Sequence, residues 1–178
     1  PHMTDIRRDD SDTGRLRRRN RELSILNTIA QALNREVNLE RALRVALAES
    51  VALFDLQTGW VWLLHARTNA PYLAAAHNLP PALADKPALM DGSKYCHCLD
   101  AYQSGEMPTA ANVDIVTCSR LKRLVAGTDG LRCHATVPLY AHGKPMGLLN
   151  VASTDWRELN ADELRLLYTV GDMLSMAI

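Results

Sequence analysis

No stretch of this sequence approaches the roughly 18–20 consecutive apolar residues of a membrane-spanning helix. The charged N-terminus also lacks the apolar segment of a secretory signal. Neither sign of charge is in excess, since 20 Lys plus Arg balance 20 Asp plus Glu over 178 residues. No global field therefore draws the chain directly to nucleic acid or to an anionic membrane. There is no internal repeat and no low-complexity segment. A Gly-x-Ser-x-Gly elbow, a phosphate-binding loop, a dinucleotide fingerprint, a His-Glu-x-x-His helix and a Cys-x-x-Cys-His haem attachment are all missing. With no catalytic residues to name, the expectation is a soluble, cytoplasmic, non-enzymatic protein with a real apolar core, 47% of its residues being apolar.

Cysteine is also scarce, at four residues, but all four fall between positions 96 and 133. Cys96 and Cys98 are one residue apart, and Cys118 and Cys133 follow from separate segments. Thiolates in such a set suit an iron–sulfur cluster, a zinc ion or a reversible disulfide. In a reducing compartment they point to metal or redox chemistry rather than to structural cross-links. Structural zinc prefers two to four residues between paired Cys, wider than Cys96-x-Cys98. Four unconnected Cys in a domain with some other ligand is the plain alternative. His134 adjoins Cys133, and neighbours in a strand point to opposite faces, so only one of the two should face the loops that carry the other three Cys.

The hydrophobic spacing orders the rest. Pro1-His2-Met3 reads as a cloning scar, and residues 1–14 as a flexible segment. Leu16, Leu23, Leu26, Ala30 and Leu33 predict a helix over about 15–34, with Ile25 and Ile29 on a second apolar edge. Five arginines between Arg15 and Arg21 read as its solvated face, with a phosphate- or lipid-binding arm as the minor alternative. Asn38 caps a second helix, from Leu39 to about Phe54. Aromatic and β-branched residues from Thr58 to His65 and from Tyr72 to His77 predict a hairpin that could bring His65 and His77 face to face. Residues 78–93 read as irregular. Ser93 caps a helix over about 94–103 that holds Cys96 and Cys98 in its first turn, where the helix dipole favours thiolate. A weak strand over 107–113 and a short helix over 120–126 precede a hairpin, 131–140 and 145–153. Trp60, Trp62 and Tyr140 read as sheet packing, and Tyr95 and Tyr102 as shields of the Cys segment. Asn160 and Glu163 form a capping box for a last helix that runs to the end with two apolar stripes. The result is an α+β domain: a central antiparallel sheet, N- and C-terminal helices on one face, and loops roofing a pocket on the other.

Val137-Pro138-Leu139-Tyr140, then Gly143-Lys144-Pro145-Met146-Gly147-Leu148-Leu149-Asn150-Val151-Ala152-Ser153, then a helix with Asp162-Glu163-Leu164 and Leu167, resembles the C-terminal half of a GAF domain. Residues 23–33 resemble the start of GAF domains in bacterial sensor histidine kinases, and the likeness spans about 20–178 of a single domain placed at 15–178. Cys96-x-Cys98, Cys118 and Gly130-Leu131-Arg132-x-His134 are similar to a subset with iron–sulfur or other redox-responsive sites. The resemblance implies a [4Fe–4S] or [2Fe–2S] cluster on Cys96, Cys98, Cys118 and Cys133, with His134 as alternative fourth ligand, sensing redox state, oxygen or nitric oxide. Zinc, or no metal at all, is the alternative. It further implies a homodimer through the terminal helices, a kinase output domain in the same chain and a response regulator partner. Some GAF relatives reduce free methionine sulfoxide with loop cysteines, which is the competing enzymatic reading.

Overall fold

The computed structural model describes residues 3–85, 97–106, 111–114, 133–153 and 157–178; for 3–10 and for 82, 97, 114, 133 and 153 the backbone alone is described. Among the described residues three long helices are α1 (Met3–Arg35), α2 (Leu39–Leu53) and α5 (Ala161–Ala177), and two short ones are α3 (Pro81–Ala84) and α4 (His97–Gln103). The strands are β1 (Thr58–Leu64), β2 (Pro71–His77), β3 (Ala111–Asp114), β4 (Cys133–Ala141) and β5 (Lys144–Ser153). They form one sheet in the order β2-β1-β5-β4-β3, every pairing antiparallel.

Two apolar layers clamp this sheet. Val61, Leu63, Val137, Leu139, Leu149 and Val151 face the long helices, where Leu43 and Leu47 of α2, Leu167, Val170 and Leu174 of α5, and Ile29 of α1 close the core. Trp60, Trp62, Leu64, Leu148 and Ala152 face the other way, against Leu83 of α3 and Cys98, Leu99 and Tyr102 of α4. All seven residues of β1 are buried, because both of its faces are covered.

Local chemistry sets the boundaries. The Asn38 side chain accepts from Arg41 N at 3.0 Å and starts α2. Asn160 accepts from Glu163 N at 2.9 Å while Glu163 reaches back to Asn160 N, so both predicted caps are in place. The β4–β5 hairpin turns on His142 and Gly143, both left-handed (φ 51 and 72), as a two-residue turn with the twist of its strands requires. Gly147 is forced by packing: a Cβ there would lie 1.9 Å from the Trp62 carbonyl oxygen on β1. Arg157 grips Glu163 through both guanidinium nitrogens and donates to Phe54 O at 2.6 Å, tying the start of α5 to the end of α2.

Two expectations are corrected. Helix α1 begins at Met3, not at Arg15, so residues 3–14 of the segment read as flexible are helical. Residues 3–14 contain no proline, and once a helix is nucleated, polar residues extend it without any apolar stripe. His65 and His77 do not meet. His77 pairs with Gly59 at one end of the hairpin, and His65 stacks on Tyr72 at the other, ring centroids 4.3 Å apart.

Candidate functional site

The face of the sheet opposite the long helices carries the chemistry. Alternation along β4 turns Ala135, Val137 and Leu139 to the helical core. The intervening His134 is buried on the other side, its ring centroid 5.7 Å from that of Trp60. Burial pushes the His134 pKa down to about 4, because the imidazolium would lose its hydration in this apolar layer; a hydrogen bond with Ala135 opposes the shift weakly. The ring is therefore neutral near pH 7, the form in which imidazole binds a metal.

Two more polar groups share that face. Thr136 on β4 pairs directly with Asn150 on β5, which in turn pairs with Trp60 on β1. Both are fully buried, and among the described residues neither Thr136 Oγ1 nor Asn150 Nδ2 has a hydrogen-bond partner. Each such orphan costs about 1–3 kcal/mol, so the pair is expensive as pure scaffold. Their sequence signal is a polar residue at an inward position of an otherwise apolar strand, visible in Leu148-Leu149-Asn150-Val151 and Ala135-Thr136-Val137.

Over this face lies α4. Its Cys98, Leu99, Ala101 and Tyr102 are buried and its Asp100 and Gln103 exposed, so one side of the helix packs on the sheet. Cys98 joins the layer of Trp60, Trp62, Leu148 and Ala152. Cys133 opens β4, opposite Asp114 of β3 and Ser153 of β5. Cys96 and Cys118 lie outside the described residues, as do Tyr95 and the expected helix over 120–126. Of the expected donors, the structure thus brings Cys98 and His134 to the same side of the sheet. Among the described residues no group of three or more His, Cys, Asp and Glu stands together as a metal set. The buried Cys98 thiol and the neutral His134 imidazole come from two elements far apart in sequence and share a layer lined by indole and aliphatic groups.

An antiparallel sheet in this order, with terminal helices on one face and a small helical layer on the other, defines a single α+β domain. The GAF-domain family model matches residues 36–178, and the chain belongs to that family. A curated relative, the sensor histidine kinase YhcY of Bacillus subtilis (strain 168), is 35% identical over 161 residues. That match takes in 88% of this chain and 42% of the relative, so the chain spans less than half of that protein's length. Among solved structures, the GAF domain of a phosphoenolpyruvate-protein phosphotransferase from Coxiella burnetii aligns with TM-score 0.69 at 18% identity, over 88% of this chain and 91% of that one. The GAF domain of a putative sensor histidine kinase from Pseudomonas syringae pv. tomato aligns with TM-score 0.64 at 16% identity, over 93% and 91%.

Proposed function

We propose that this GAF domain is the sensory module of a cytoplasmic sensor histidine kinase, and that its signal enters through an iron–sulfur cluster of the [4Fe–4S] or [2Fe–2S] type. Cys96, Cys98 and Cys118 are its thiolate ligands, with Cys133 or His134 as the fourth. The observation that carries this reading is the common burial of Cys98 and His134 on one side of the sheet, contributed by α4 and β4. It favours His134 over Cys133 as the fourth donor. Kinship with a curated sensor histidine kinase supports the parent protein, with a kinase output domain in the same chain and a response regulator downstream.

When bound, the cluster supplies reversible electron transfer and reactivity toward oxygen or nitric oxide. The chain's own residues do the rest. Trp60, Trp62, Leu64 and Leu148 keep water from the Cys98 thiolate. Neutral His134 offers a ring nitrogen without adding charge. Thr136 and Asn150 carry hydrogen-bond donors on the same face, and donors toward sulfur are a lever on cluster potential. No helix among the described residues is long and apolar enough to cross a membrane.

Anaerobic purification followed by absorption spectroscopy and metal analysis tests the reading. Broad absorption near roughly 400 nm from sulfur-to-iron charge transfer, with stoichiometric iron and sulfide, is expected, bleached by air or nitric oxide. Cys98→Ser and His134→Ala should remain folded and lose the chromophore. Stoichiometric zinc in a colourless protein would make the site structural. A metal-free protein that also resists cluster reconstitution would overturn the metal reading and leave a dithiol switch.

A further inference from the structure

The Tyr102 side chain fastens helix α4 to the sheet at an unusual place. The Tyr102 hydroxyl is fully buried, donates to the Leu139 carbonyl, and accepts from Met146 N at 2.7 Å and Gly147 N at 3.2 Å. Those three backbone groups surround the one break in the β4–β5 ladder. Leu139 pairs with Gly147, but Tyr140 pairs with Pro145, so Met146 is an extra residue, a bulge. A bulged residue leaves its amide without a ladder partner, and the Tyr102 hydroxyl is the group that takes it. The Tyr102 ring also packs against Tyr140, centroids 5.1 Å apart. One hydroxyl thus replaces the missing rung, and it belongs to a helix lying on the far side of the sheet from α5.

The same backbone supports α5 on the opposite face. A Cβ on Gly171 would touch the Val137 side chain at 3.1 Å and that of Leu139 at 3.5 Å, so α5 rests directly on this part of β4. Met146, whose amide goes to Tyr102, packs its side chain into the helical core. With Tyr140, Lys144, Asp172, Ser175 and Met176 it also lines an open groove beside the end of α5. Tyr102 is one turn of helix from Cys98, and both face the sheet.

We infer that Tyr102 is a positioning residue that couples the two faces of the sheet: displacement of α4 at Cys98 withdraws the Tyr102 hydroxyl from the Leu139–Met146 bulge, and the loosened bulge shifts the C-terminal half of α5. A bulge is suited to this role, because its geometry is held by one borrowed hydrogen-bonding group rather than by a continuous ladder. The inference rests on Cys98 belonging to the sensing site. It does not depend on which metal, if any, that site holds.

The experiment places a bulky group on Cys98 and reads amide exchange elsewhere. In a chain with Cys96, Cys118 and Cys133 replaced by Ser, the buried Cys98 is alkylated with N-ethylmaleimide in urea and the protein is then refolded. Hydrogen exchange is then followed at Met146, Gly147 and residues 170–177, with Tyr102 intact and in Tyr102→Phe. With Tyr102 intact, alkylation should speed exchange at Met146, Gly147 and the end of α5 by about tenfold, the scale of one lost hydrogen bond. Tyr102→Phe should by itself speed Met146 and Gly147 by a similar factor and abolish the further response of α5 to alkylation. A merely structural tyrosine would leave that α5 response in place, and this result would overturn the inference. So would unchanged exchange at Met146 and Gly147 after alkylation of the Tyr102 protein, a measurement that stands even if the Phe variant does not fold. Because no metal is used, failure here is distinct from failure to find a cluster.

Discussion

His134 shows how much one residue's surroundings decide. In the metal-free protein its pKa is pushed down to about 4 by burial, against an ordinary 6.5. Above about pH 6.5 neither the folded nor the unfolded chain binds the proton, so the residue adds no pH dependence. Between about 6.5 and 4 the unfolded chain protonates first, and folded-state stability falls as the pH falls. The full loss, reached near pH 4, is on the order of 3 kcal/mol. Urea midpoints of metal-free protein should therefore drop from pH 7 to pH 4, and drop clearly less in His134→Asn. Parallel curves for the two proteins would show that another group controls the acid limb. The chemistry of this residue was only half legible beforehand. The sequence placed Cys133 and His134 side by side and required that they diverge, but the choice of face depends on the register of β4 against β5. That register is set by the bulge at Leu139–Tyr140 and by the close approach at Gly147, neither of which a linear pattern displays. Thr136 and Asn150 were missed for a related reason: a polar residue in a strand reads as solvent-facing until both faces are known to be covered.

At the level of the element, the ends of helices were the most readable feature. Asn38 and the Asn160–Glu163 box act locally, between residues three apart, so sequence alone suffices to see them. Removing either Asn side chain, as Asn38→Ala or Asn160→Ala, should destabilise the domain by about 1 kcal/mol. The two losses should add in the double variant, because the caps serve different helices. Urea titrations with unchanged slope would confirm a loss of stability rather than of compactness; strong non-additivity would mean that the two helix starts are coupled, whereas Arg157 joins the end of α2, not its start, to α5. The start of α1 was the least readable boundary. Nothing in the polar residues 3–14 marks a stop, and without an apolar stripe there is nothing to mark a start.

For the whole molecule, the question is what covers α1. Residues 11–24 are exposed almost throughout, while Ile25, Leu26, Ile29 and Leu33 pack on the domain. Leu16 (61% exposed) and Leu23 (56%) lie seven residues apart on α1 with Ala30 seven further on, so they fall on one face of the helix. Met176 on α5, 82% exposed, lies beside the same helix in a small pocket with Ala30 and Leu33. We propose that a homodimer through the terminal helices covers these faces. Sedimentation equilibrium should return twice the 19.7 kDa chain mass, and Leu16→Glu with Leu23→Glu should return a single chain with the domain still folded. A monomeric parent at micromolar concentration would rule this dimer out. The sequence made this seam partly visible through its wide apolar edges; which edge belongs to the core became clear only from the packing of Ile29.

The unsupported half of α1 has a mechanical meaning. From Met3 to Ile25 a straight α-helix extends about 33 Å beyond its last anchor on the domain. Such a rod is a lever whose fulcrum is the packing of Ile25 and Ile29. A tilt of only about 10° at that fulcrum carries the tip sideways by roughly 6 Å, about one helical turn. Small displacements in the core are thereby converted into large ones at a distance, with no change in the helix itself.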